Sequence, residues 1–129
     1  MQISLRQGAF VACGGALGSL SRGVISLQSL SLTGIDANVA LFLINVTGAF
    51  LLGWLNGFLQ VKTSSHQAEI LLFFGTGFLG SFTTFSSLVS STVQLGLRSG
   101  ILYIGITFLA GLLFAALGLW LGRKYNRER

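Results

Sequence analysis

The sequence is poor in the residues that most protein chemistry depends on. It has no proline, one cysteine, one histidine and three acidic residues in a chain of 129. The lone Cys13 excludes an intramolecular disulfide and any multi-cysteine metal site. It reads as a small apolar helix residue. His66 lies in a polar connector with only Glu69 as a neighbouring carboxylate. No nucleophile–base pair or metal cluster can be drawn around it, so no enzyme is expected. Charged residues make up 9% and hydrophobic residues 52%. A soluble domain carries about 25% charged residues, so a soluble globule is excluded as well.

What is present is apolar length. At this size the chain is one domain, residues 1–129, and four segments are long enough to cross a bilayer: 8–27, 39–59, 69–93 and 101–122. The first continues too far, and is followed by too many like it, to read as a cleaved signal peptide. The connectors are Gln28 to Asn38, Val61 to Ala68, and a tight turn from Gln94 to Gly100. The net charge of +5 comes mainly from the tail, Arg123, Lys124, Arg127, Glu128 and Arg129. A basic tail beside an apolar span marks a cytoplasmic flank at anionic lipid, not a nucleic-acid surface. Four spans put both termini on one side. Arg6, Lys62, Arg123, Lys124, Arg127 and Arg129 fall on that side, against Arg98, and Arg22 if it snorkels that way, on the other. The expectation is a cell-membrane protein with both termini in the cytoplasm.

The third segment does not look like a lipid-facing helix. From Gly75 to Thr92 it reads GTGFLGSFTTFSSLVSST, with glycines at 75, 77 and 80 and a dense run of hydroxyls. Glycine clusters loosen a helix, and backbone groups freed in lipid are costly unless protein, ions or water satisfy them. A break near Gly77–Thr84 is expected, facing the protein interior. Glycines 14, 15 and 18 form a small-residue face on the first span, and Gly111, Ala115 and Gly118 form another on the fourth. Three polar residues inside the spans need partners. Arg22 can snorkel to the interface or line a wet vestibule. Asn45 can make an interhelical hydrogen bond or offer its N–H groups to a pore. Asn56, nearer a span end, reads as structural.

These stretches resemble the Fluc (CrcB) family of small fluoride channels. GGALGSLSR in the first span is similar to the family's glycine-rich run ending in arginine. NVTGAFLLG, from Asn45, is similar to its Asn-x-x-Gly motif. GFLGSFTTFS, Gly77 to Ser86, carries the helix-break signature Gly-x-x-Thr-Thr-Phe-Ser and is the most specific match. Tyr103, Thr107 and Gly111 are similar to the Tyr-x-x-x-Ser/Thr-x-x-x-Gly pattern of the last span.

The resemblance implies an all-α membrane protein working as an antiparallel dimer with two narrow fluoride pores. It implies a structural sodium ion at the centre, held by the backbone carbonyls of Gly80 and Thr83. Asn45 would be the pore amide and Phe85 the first of two phenylalanines lining the path, with Ser86 beside it. Tyr103 and Thr107 would continue the polar track, and Arg22 would shape the vestibule. Two departures stand out. Leu88 occupies the second phenylalanine position, and the turn before the fourth span is about one helical turn short. An ungapped match would put Thr107 and Gly111 where the family has Tyr and Ser.

The chemistry suits fluoride, which is small and strongly hydrated. Amide and hydroxyl donors can replace its water, the electropositive edge of a phenylalanine ring can touch it, and neutral sites release it readily. Dual insertion of one subunit calls for an even Lys/Arg balance, which this chain lacks. Its partner in the dimer is therefore either itself or an inverted homologue. Two other classes fit less well. A four-span multidrug exporter needs an intramembrane carboxylate, and Asp36, Glu69 and Glu128 all lie at connectors, span ends or the tail. A holin-like protein needs neither Asn45 nor a broken span.

Overall fold

The computed structural model describes residues 4–32, 34–59 and 65–127, and among these there are helices and no strands. Helix α1 is Leu5–Leu32 and α2 is Ala37–Leu59. Helix α3, residues 65–82, starts as Ser65–Ile70, widens over Leu71–Leu79 and closes with a last turn, Gly80–Phe82. Helix α4 is Phe85–Leu95 and α5 is Leu97–Arg127. The segments Leu5–Gln28, Ala37–Leu59, His66–Leu95 and Leu97–Tyr125 are each long and apolar enough to cross a membrane. The protein is thus all-helical with four spans, α3 and α4 together making the third.

Every helix is longer than the hydrophobic pattern predicts. The connector expected at Gln28–Asn38 is mostly helix, because α1 runs to Leu32 and α2 begins at Ala37, where the Asp36 carboxylate accepts from the Asn38 N–H (2.8 Å). The expected turn over Gln94–Gly100 shrinks to Gly96, whose φ of 81° only glycine adopts easily. His66, expected in a loop, lies in the first turn of α3. The reason is general: polar residues at the bilayer edge read as breaks in apolar periodicity, yet the helix continues through the headgroup region. Lys62, Glu128 and Arg129, which entered the charge balance, lie outside the described residues.

Packing follows the small residues. Helix α1 lies against α3, and a Cβ on Gly18 would fall on the Phe78 carbonyl. Helix α2 lies against α5 along most of its length, and a Cβ on Gly118 would fall on the Phe50 carbonyl. Without a hydrophobic drive between helices in lipid, such backbone approach supplies the cohesion. The interior is accordingly small. Its apolar members include Ile44, Leu79 and Phe82, and its polar members are Asn45, Thr84, Ser91 and Thr107. Leu20, Leu102, Leu109 and Leu113 are each more than half exposed, as side chains facing lipid should be.

The wide-turned stretch Leu71–Leu79 is a nine-residue π-helix, ending where the Gly80 N–H reaches back to the Gly75 carbonyl. Such segments are rare and mostly single-turn. The glycines that predict a loosened helix here produce a widened one, and the break falls at the end of the expected Gly77–Thr84 range, at Thr83 and Thr84.

Candidate functional site: the groove at the helix break

The break consists of two residues in extended conformation. Thr83 has φ −75° and ψ 152°, and Thr84 has φ −148° and ψ 124°. Helix α3 ends because the Leu79 carbonyl accepts from both the Thr83 N–H and the Thr83 hydroxyl, each at 3.0 Å. Helix α4 starts because Thr84 caps it, its Oγ1 accepting from the Ser87 N–H (3.3 Å). The same oxygen lies 3.1 Å from Ser86 Oγ and 3.2 Å from Ser87 Oγ.

Asn45 fastens this break from α2. The Thr84 N–H donates to Asn45 Oδ1 (2.9 Å), and Asn45 Nδ2 donates to the Thr84 carbonyl (3.3 Å). The amide thus takes the place of a missing backbone partner on both sides of one residue. Both residues are buried. An amide nitrogen has two hydrogens, and the second meets no acceptor among the described residues. Downstream of Leu79 the carbonyls of Gly80 and Thr83 receive no described backbone N–H, since the Thr84 N–H is diverted to Asn45 and the Ser87 N–H to the cap.

An open groove of about 700 Å³ runs past the break between α2 and α5. It brings together Asn45, Thr83, Thr84, Phe85, Leu88 and Thr107, with Asn56 further along, and no charged side chain lines it. Thr107 is buried and donates its hydroxyl to the Tyr103 carbonyl (2.8 Å), leaving oxygen lone pairs toward its surroundings. Asn56 donates to the Leu52 carbonyl one turn back (2.8 Å). Phe85 stands at the groove with 69% of its surface exposed, whereas Leu88 is buried.

Comparison with known proteins settles the family. The chain matches the family described as "CrcB-like protein, Camphor Resistance (CrcB)" over residues 9–119. It belongs to the CrcB family. A Bacillus cereus protein named "Fluoride-specific ion channel FluC 2" is 40% identical over 122 residues, 92% of this chain and 98% of that one. A second FluC 2 from another B. cereus strain is 43% identical, covering 87% and 93%. A Bacillus anthracis protein named "Fluoride-specific ion channel FluC 1" is 38% identical, covering 87% and 84%.

Within this CrcB chain the residues singled out by sequence divide into two groups. Asn45, Thr83, Phe85 and Thr107 share the groove. Ser86 stands beside it through its contact with the Thr84 hydroxyl. Tyr103 does not line the groove: its hydroxyl donates to the Asn38 carbonyl (2.7 Å), tying α5 to the start of α2. Gly80 sits at the last turn of α3. Arg22, placed near a span end by the pattern, is well inside α1 because that helix continues to Leu32. The residue that sequence reasoning missed is Thr84, which caps α4 and receives the Asn45 clamp. The spacing from Thr84 to Ser86 and Ser87 at a helix start is a capping signal that could have revealed half of this role.

Proposed function

We propose that this chain is a fluoride-selective channel that lets cytoplasmic fluoride leave the cell passively and so lowers fluoride toxicity. The single observation that carries the reading is the neutral, donor-lined groove at the clamped break. It offers the free Asn45 N–H, the hydroxyl of Thr84 with Ser86 beside it, the hydroxyl of Thr107 once it turns from the Tyr103 carbonyl, and the electropositive edge of Phe85. No charged side chain among the described residues lines it to hold the anion too tightly for conduction. Relatives named as fluoride-specific channels at about 40% identity support the same reading, and the reaction class is transport, not catalysis. Neither the exporter nor the holin-like alternative is favoured.

The groove is open and Phe85 protrudes, so a single chain does not enclose a pathway. An antiparallel partner closes it in our reading, either a second copy or an inverted homologue. The excess of Lys and Arg on the terminal side favours insertion with both termini in the cytoplasm, hence an inverted homologue as partner. A structural sodium ion fits the donor set at the break. The freed Gly80 and Thr83 carbonyls are hard oxygen ligands of the kind alkali and alkaline-earth cations take. Bound there, a cation would satisfy the carbonyls and lower the electrostatic cost of bringing anions nearby. Tyr103 and Arg22 act at the ends of the path, Tyr103 by holding α5 to α2 and Arg22 by its positive charge on α1.

Expression in a bacterium lacking its own fluoride exporter tests the function. Growth should be restored at a fluoride concentration that stops the parent strain, by the chain alone or together with an inverted homologue. Failure under both conditions contradicts the proposal.

A further inference from the structure

The groove just described uses one side of α2. The opposite side carries a second feature that ion passage does not explain. At the end where α2 stops and α5 leaves the membrane, a hollow of about 550 Å³ is lined by Phe50, Leu51, Trp54, Leu121, Lys124 and Tyr125. It shares Leu51 and Trp54 with a second, wholly apolar hollow of about 340 Å³ that runs between α2 and α3 toward Phe78 and Leu79. The two hollows adjoin across Leu51 and Trp54, one with a lysine in its lining and the other wholly apolar, and together they are called the crevice. Among the described residues the one charged side chain lining the crevice is Lys124, whose ammonium stands 5.5 Å from the centre of the Trp120 ring. Trp54 stacks on Phe58 at 5.5 Å, giving the apolar body a rigid wall.

We infer that this crevice is a binding site for one anionic phospholipid of the leaflet on the terminal side, with its headgroup phosphate at Lys124 and an acyl chain laid along Leu51, Trp54 and Phe74. The charge pattern selects the occupant. A crevice with a lysine at the headgroup level and hydrocarbon beneath it matches an anionic lipid in sign and in order. A second copy of the chain would leave Lys124 facing an apolar helix. Aromatic rings with a polar tip at the interface, here Trp120 and Tyr125, belong at this depth. The polar groove faces the other side of α2, through Asn45, Ala49, Leu52 and Asn56, so a lipid here leaves the proposed path free. This inference does not rest on fluoride conduction.

Of the chain's two tryptophans, Trp54 lines the site and Trp120 adjoins it through the Lys124 ammonium, so their fluorescence reports on it. The full chain is reconstituted in phosphatidylcholine vesicles containing a small fraction of phosphatidylglycerol. Bromine is placed on the acyl chains of one lipid or the other, and tryptophan quenching is read. Brominated phosphatidylglycerol should quench about five-fold more per molecule than brominated phosphatidylcholine, as one lysine contact to an anionic headgroup implies. Lys124→Gln should abolish that preference while leaving quenching by phosphatidylcholine intact. Arg127→Gln, a change on the same tail outside the crevice, should keep it. Equal quenching by the two lipids overturns the site. So does protection from both lipids, which would mean that protein covers the crevice. Equal loss of preference in the two variants overturns it too, because it would mean diffuse attraction to the surface.

Discussion

Asn45 clamps the helix break, and in the channel we propose the same amide also serves passage. Its oxygen and one of its hydrogens are committed to Thr84, and the other hydrogen is left for a ligand. Replacing it by alanine strands the buried Thr84 N–H and carbonyl. Asn45→Ala should therefore cost about 2 kcal/mol of stability, read from unfolding in detergent, and should abolish fluoride efflux. A variant that stays as stable as the parent would show that the clamp is not holding the break. Thr107 separates the ligand role from the fold, because its hydroxyl only bonds back to its own helix. During conduction the hydroxyl turns from the Tyr103 carbonyl to the ion in our reading, so Thr107→Val should slow fluoride efflux about tenfold, with Thr107→Ser close to the parent. Equal rates in the two variants would remove Thr107 from the path. At this scale the sequence was only half legible. Asn45 announces itself as an amide in an apolar span, but its partner is 39 residues away and no local pattern could name it. Tyr103, read as part of a polar track, instead ties two helices together through the Asn38 carbonyl.

The elements were legible in number and order, and less so in extent. Apolar length gave four spans, and glycine density gave the position of the irregular one. The nine-residue π-helix was not legible, because glycines report that a helix can loosen and not whether it widens or breaks. The break itself required Thr84 as cap and Asn45 as clamp, so its place depended on a contact between spans. The small-residue faces were more informative, since their spacing shows which sides approach closely. Gly118→Leu should drive α5 away from the Phe50 carbonyl and abolish a monodisperse peak in size-exclusion chromatography of detergent extracts. Gly8→Leu, where nothing lies within 4 Å, should leave the peak unchanged. Tolerance of Gly118→Leu would mean that the α2–α5 seam is looser than described.

For the whole molecule, the composition alone pointed to a bilayer, because a chain with 9% charged residues has too little polar surface for water. What the single chain cannot supply is closure. Its groove is open and the aromatic at its edge is bare. The assembly we propose pairs this chain antiparallel with a second copy or an inverted homologue around sodium bound at the break. Preparing the protein with a large organic cation in place of sodium should loosen the dimer and lower fluoride efflux, and adding sodium back should restore both. Indifference to sodium would leave the Gly80 and Thr83 carbonyls without their proposed ion.

In the channel we propose, the neutral groove at the clamped break conducts fluoride. The most direct test is efflux from liposomes holding the purified chain, followed with a fluoride electrode beside a chloride electrode, first alone and then with an inverted homologue. Fluoride should be released rapidly and chloride not at all. Release by the chain alone would identify the partner as a second copy, and release only after mixing would identify it as the homologue. No fluoride release in either preparation, or equal release of chloride, would contradict the proposal.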